Sequence, residues 1–305
     1  MDKMRADEFA LLFWGDVTMN IKNIRIRDPF ILLESGKYYM YARYMGVGGF
    51  SVRVSDDLVE WSEEKPIFLN SGSFWATQDF WAPEVHKYKG KFYLFATMKS
   101  AVRHRGTHIF VSDTPDGMFE PLGEYPQTPS DWECLDGTLY VEDGVPYMVF
   151  CHEWTQCGFG EMCYIQLSGD LSHAVGEPHL MFRANEPEWA VSCVSDRPGF
   201  VTDGPYMHRV SDGRLIMIWS SFRKNGDGNA YVEAMAYSDN GKIDGQWIHA
   251  ERLLMRDDGG HGMLFRDKDE KLRLVLHSPN IRARERALIL NVKESEADGL
   301  LEIVE

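Results

Sequence analysis

Three aspartates and one histidine each open an otherwise apolar run beside a proline or glycine. They are Asp28 in Arg27-Asp28-Pro29-Phe30, Asp136 in Asp136-Gly137, Asp203 in Asp203-Gly204-Pro205 and His261 in Gly260-His261-Gly262. A carboxylate placed in an apolar frame is costly unless it is paired or used. Three that converge on one mouth can divide the work of splitting a glycosidic bond: one carboxylic acid protonates the departing oxygen while another carboxylate activates water. Crowding of like charges raises the pKa of at least one of them and so supplies the acid. Taken singly, these aspartates read equally well as turn residues that cap hairpins. Their recurrence at matching places in the chain favours chemistry.

The matching places come from an internal repeat. Gly36-Lys37-Tyr38-Tyr39-Met40-Tyr41-Ala42, Gly90-Lys91-Phe92-Tyr93-Leu94-Phe95-Ala96, Gly144-Val145-Pro146-Tyr147-Met148-Val149-Phe150 and Gly213-Arg214-Leu215-Ile216-Met217-Ile218-Trp219 share a turn glycine and an aromatic-aliphatic run. A degenerate fifth copy is Glu270 to Leu276. Each is preceded by a second apolar run across a tight polar turn, which is the signature of a β-hairpin. Those partners begin at Asp28, Ala82, Asp136, Asp203 and Gly260, and alternating third runs follow, as in Phe50 to Ser55 and His108 to Ser112. Three to four short strands per copy and no long helical period predict an all-β, five-bladed β-propeller, with residues 1–305 forming a single catalytic domain. In such a fold the innermost strand of every blade starts at the central channel. The repeat therefore places Asp28, Ala82-Pro83-Glu84, Asp136, Asp203 and His261 at equivalent positions there.

Composition narrows what the channel could hold. The 305 residues carry 47 acidic against 32 basic side chains, a formal charge of -15, which repels phosphate backbones and anionic lipid. Nucleic acid and membrane are thus excluded as expected partners, and a neutral oligosaccharide is favoured. Sugar C–H faces stack on aromatic rings. Trp81, Phe80 and Trp75, with Phe74, are the first candidates, then Trp154, Trp132 and Trp189. Arg43, Arg197 and Arg223 could donate to sugar hydroxyls or pair with surface acids. The five cysteines lack paired CxxC spacing, so reduced thiols without disulfide or structural zinc are expected. Acidic residues within Met1 to Glu8 and the short apolar run Phe9 to Trp14 lead to a cytoplasmic expectation.

Arg27-Asp28-Pro29-Phe30, Ser55-Asp56-Asp57-Leu58-Val59-Glu60-Trp61, Trp81-Ala82-Pro83-Glu84-Val85, Asp136-Gly137, Asp203-Gly204-Pro205 and Gly260-His261-Gly262 together resemble glycoside hydrolase family 43, in order and over nearly the whole chain. The resemblance implies a five-bladed inverting enzyme acting on plant cell-wall sugars. It implies Asp28 as general base, Asp136 as the residue that tunes and orients the acid, and Asp203 as the general acid. It also implies a channel cation, commonly calcium, whose water shell lies near His261. Family members usually carry glutamate before Gly-Pro, whereas this chain has the shorter Asp203, with Glu188 as the alternative acid. The expected activity is exo-acting α-L-arabinofuranosidase or exo-arabinanase. β-Xylosidase, a galactan-directed glycosidase and a non-catalytic carbohydrate-binding propeller are the alternatives.

Overall fold

The structure, a computed structural model, describes residues 18–44 and 48–304. Phe9 to Trp14 and most of the Met45 to Gly49 loop lie outside the described residues. The chain forms five β-sheets, one per repeat, around a central axis. Blade 1 comprises β1 (Thr18–Asn20), β2 (Phe30–Glu34), β3 (Lys37–Arg43), β4 (Gly49–Ser55), β5 (Glu60–Ser62) and β6 (Lys65–Leu69). Blade 2 comprises β7 (Gln78–Tyr88), β8 (Lys91–Ser100), β9 (Arg103–Ser112) and β10 (Glu120–Pro121), and blade 3 β11 (Cys134–Glu142), β12 (Val145–His152), β13 (Glu161–Leu167) and β14 (Ala174–Arg183). A single helical turn, α1 (Trp154–Cys157), joins β12 to β13. Blade 4 comprises β15 (Asp203–Arg209), β16 (Leu215–Asn225), β17 (Gly228–Ser238) and β18 (Trp247–His249), and blade 5 β19 (Gly260–Arg266), β20 (Leu272–Ser278), β21 (Arg286–Glu294) and β22 (Leu301–Val304).

The repeated glycine works through backbone conformation. Ser35-Gly36, Lys89-Gly90 and Asp143-Gly144 all have positive φ, between 47° and 82°. Two consecutive left-handed residues make the tight hairpin turn whose twist matches that of its strands. This is why β2–β3, β7–β8 and β11–β12 return on themselves at the repeat glycine. Between blades the strand faces bury large side chains: Trp61, Tyr41, Phe50, Phe95, Phe110, Phe150, Phe182, Trp219 and Tyr231 are all below 2% exposed. These large rings therefore serve as core and are not open to a ligand. Lys224 faces Asn229 and Asn225 faces Gly228, so β16 and β17 continue outward as a hairpin. All five cysteines are free.

Candidate active site

Each inner strand begins with the same kink. Asp28, Ala82, Asp136, Gly204 and His261 have φ of 53°, 42°, 54°, 51° and 54°. In four blades the pairing of the first two strands slips at that point, between Trp81 and Glu84, Leu135 and Thr138, Asp203 and Tyr206, and Gly260 and Met263. A bulge of this kind re-aims a side chain that would otherwise join the ladder. Left-handed backbone at a non-glycine residue costs roughly 1 kcal/mol or more and is retained where the surroundings over-determine it.

The shared kink corrects the alignment of the fourth copy. Gly204, not Asp203, occupies the left-handed position, so Asp203 stands one residue ahead of the frame, where the other blades have Arg27, Trp81, Leu135 and Gly260. The sequence signal was the proline, which directly follows Asp28 and Ala82 but comes two places after Asp203. Gly204 has a second constraint: a Cβ there would lie 2.8 Å from the His261 ring.

The acids and histidine do converge. His261 Nδ1 is 3.2 Å from Asp28 Oδ1 and 3.7 Å from Asp136 Oδ2. The Gly204 N–H donates to Asp136 Oδ2 at 3.1 Å, and Asp136 N–H donates to Thr97 Oγ1 at 2.8 Å. Asp28 is also approached by His277 Nδ1 at 3.2 Å and Arg27 Nε at 3.7 Å. Asp203 Oδ2 accepts from Tyr231 Oη at 3.0 Å, and the Tyr231 ring stacks on His277 with centroids 5.6 Å apart.

These neighbours push the carboxyls apart. Burial alone would raise Asp28, but His261, His277 and Arg27 outweigh it and hold the group well below the usual carboxylate range. Burial raises Asp136 to about 6, with His261 opposing and Asp28 adding to the rise. Asp203 is pushed up to about 8, first by burial and then by the Asp136 charge, with His261, Arg27 and Tyr231 pulling it back. One carboxylate is thus held ionised and one acid held protonated in the same mouth, the division that acid–base hydrolysis requires.

The profile described as "Glycosyl hydrolases family 43" matches residues 18–301. The chain belongs to this family. Among solved structures it is similar to one titled as the endo-arabinase from Bacteroides thetaiotaomicron VPI-5482. The two share 40% identity with a TM-score of 0.87, over 92% of this chain and 99% of that one. A structure titled as an endo-1,4-beta-xylanase from the same organism gives a TM-score of 0.74 at 25% identity, over 93% and 96%. The extracellular endo-alpha-(1->5)-L-arabinanase 1 of Bacillus subtilis (strain 168) is 23% identical over 266 residues, covering 81% of this chain and 73% of that protein. The five-bladed propeller and glycoside hydrolase class follow from membership.

The remaining residues of this family 43 site divide between rim and core. Phe80 is corrected: it is 2% exposed, packs against Phe50 and lies beneath Gly48, so no face is left for a sugar. Trp75 is half-buried and donates from Nε1 to His108 Nδ1 at 2.8 Å, the two rings lying nearly coplanar with centroids 6.2 Å apart. Trp81 is half-buried with the Arg105 guanidinium 4.6 Å above its ring. Arg105 is itself fixed by Asp79 and Glu153. Trp154 is half-buried at the start of α1 with Arg197 over it at 5.4 Å. Trp189 packs on Trp219 and Trp132 stacks on His152. Arg43 is exposed at the end of β3, and Glu188 is exposed on the chain after β14.

Several groups that hold the site were not singled out from sequence. Arg27, Tyr231 and His277 touch the acids directly. Glu233, fully buried and pushed up to about 7 by burial, accepts from Gly262 N–H at 3.0 Å and from Ser220 Oγ at 2.7 Å. Ser220 Oγ in turn accepts from His261 N–H at 2.7 Å. For the channel cation, His261 offers one buried nitrogen, Nε2, with no hydrogen-bond partner, while its Nδ1 faces two carboxylates. Burial would lower the pKa of the ring, but Asp28, Asp136 and Asp203 raise it to about 9, so Nε2 becomes a ligand only when the ring gives up that proton. An imidazole oriented by carboxylates on one nitrogen fits as a single ligand of an ion that keeps its water shell. It does not fit a calcium caged by protein oxygens.

Proposed function

We propose that this enzyme hydrolyses the α-1,5-linked L-arabinofuranosyl chain of arabinan and its oligosaccharides with inversion, cutting within the chain. Asp28, ionised and held by His261, His277 and Arg27, accepts the proton of the attacking water as general base. Asp203, kept protonated by burial and by Asp136, gives its proton to the departing glycosidic oxygen. Asp136 orients the Gly204 backbone beside that acid and raises its pKa. Trp81, with Trp154 and Trp75, offers the rings on which sugars stack, and Arg43 donates to their hydroxyls. A cation on His261 Nε2 would supply positive charge behind Asp28 and Asp136.

The opposite protonation states of Asp28 and Asp203 in one mouth carry the hydrolytic reading. The arabinan reading and the endo mode draw on the 40% identical endo-arabinase and the curated endo-arabinanase; exo action, expected from sequence, is the alternative that a 22% identical extracellular exo-alpha-(1->5)-L-arabinofuranosidase of Cellvibrio japonicus supports. A xylan-directed reading draws on the xylanase-titled structure, which is 25% identical. Incubation with linear arabinan, arabino-oligosaccharides and xylo-oligosaccharides tests the proposal. The expected outcome is a ladder of arabino-oligosaccharides whose new reducing ends appear first as the inverted anomer by proton NMR. Arabinose alone as the early product would establish exo action. Cleavage confined to xylo-oligosaccharides would replace the substrate, and retained anomeric configuration would overturn the mechanism.

A further inference from the structure

On the rim of blade 3, His152, Cys157 and Glu161 present an imidazole nitrogen, a thiol and a carboxylate oxygen that all lie within 4.8 Å of one another. They come from the end of β12, from α1 and from the start of β13, and take no part in the proposed hydrolysis. We propose that this cluster binds a thiophilic divalent cation of the zinc class. The argument starts from Gln156, whose amide is oriented by two backbone groups. Its Oε1 accepts from Glu133 N–H at 2.7 Å and its Nε2 donates to Asp131 C=O at 2.9 Å. The same Oε1 is 3.0 Å from His152 Nε2, so that nitrogen must carry the hydrogen.

In the neutral ring the lone pair is then on Nδ1, and it points at Glu161 Oε2 only 2.9 Å away. Two acceptors at that distance repel unless a positive charge joins them. That charge is either a second proton on the ring or a cation shared with the carboxylate. Cys157 favours the cation: its thiol, which donates to Glu153 C=O at 3.2 Å, completes on losing its proton a nitrogen, sulfur and oxygen set that suits zinc better than calcium or magnesium. Zinc ligands at about 2.0–2.3 Å stand roughly 3.3–3.8 Å apart, so small rotamer shifts suffice. The second shell is already in place. Gln156 holds His152 Nε2–H, Trp132 stacks on the ring at 4.3 Å, and Arg183 engages Glu161 Oε1 at 2.9 Å, leaving Oε2 free for the metal. On binding, the Cys157 thiol proton leaves to solvent and a fourth position remains for water. Sequence spacing concealed the site, since His152, Cys157 and Glu161 form no CxxC pair.

The full chain, stripped with chelator and desalted, is titrated with Co²⁺ and then Zn²⁺. The expected result is uptake of about one equivalent, with a thiolate-to-cobalt charge-transfer band in the near ultraviolet that zinc displaces. Cys157→Ser should remove the band and weaken zinc binding at least about tenfold, Glu161→Gln should weaken it as well, and Cys193→Ser should change neither. Thermal melts of the stripped variants control for folding, and Glu161→Gln carries the test if Cys157→Ser fails to fold. Absence of the band, its survival in Cys157→Ser, or zinc affinity unchanged in Glu161→Gln would overturn the proposal. So would a stripped protein that takes up no zinc while ¹⁵N NMR shows both His152 nitrogens protonated at neutral pH.

Discussion

Burial alone would raise Asp28 and Asp203 alike; their neighbours separate them. Asp28 faces His261, His277 and Arg27, while Asp203 faces the Asp136 charge with a single tyrosine hydroxyl as hydrogen-bond donor. Two substitutions should therefore move the alkaline limb of the kcat/KM profile, expected near pH 8 with Asp203 as the acid, in opposite directions. Asp136→Asn removes a charge that raises Asp203 and should shift the limb to lower pH. Tyr231→Phe removes a hydrogen bond that favours the carboxylate and should shift it to higher pH. Profiles measured on an unactivated oligosaccharide check both, and shifts in the same direction would contradict the assignment. Asp28 and Asp136 were legible in the sequence because their prolines and glycines mark the kinked strand start. Tyr231, His277 and Glu233 were not, since they arrive from second and third strands without a motif. Phe80 misled because adjacency to Trp81 puts the two rings on opposite faces of β7, one toward the core.

At the scale of elements, the kink is the device that turns a hairpin into part of a site. The repeat and its turn glycines disclosed the blades and every inner hairpin. The bulge was hidden because it shows in sequence only as a one-residue offset of proline, which is why Asp203 was aligned with Asp28. Gly204→Ala should be both strained and crowded, given a φ of 51° and His261 carbon atoms 2.8 Å from the new Cβ. The expected cost is about 1–3 kcal/mol of stability together with a collapse of kcat. Gly36→Ala is the control: its φ is 76° but no atom lies within 4 Å of a Cβ, so it should cost about 1 kcal/mol and leave kinetics unchanged. Urea denaturation and steady-state rates of the pair separate strain from chemistry; equal kinetic damage would argue against a role for the kink.

Across the whole molecule, blade 1 meets blade 5 through the Ile26 N–H to Glu285 C=O bond at 3.3 Å and the antiparallel backbone pairing of Arg25 with Arg286. Five kinked strand starts are thereby brought to one channel mouth. Holding a protonated aspartate there has a stability signature. The folded chain binds the Asp203 proton more tightly than the unfolded chain, so this contribution is complete below the unfolded value of 3.8 and is lost as pH climbs through about 8. Relative to Asp203→Asn, the wild-type melting temperature should fall across that interval, and parallel curves would show an ordinary surface carboxylate. Melting also tests the channel ion: calcium returned to chelated protein should raise the midpoint, equally in wild type and Cys157→Ser, and no rise would remove the ion from the account. The most direct measurement is the rate of Asp203→Asn on an arabino-oligosaccharide and on an aryl glycoside of an arabino-oligosaccharide with a good leaving group. The account predicts a loss of about 10²–10⁴ on the oligosaccharide and a much smaller one on the aryl glycoside, whose departing oxygen needs little protonation. Equal losses on the two substrates would contradict it.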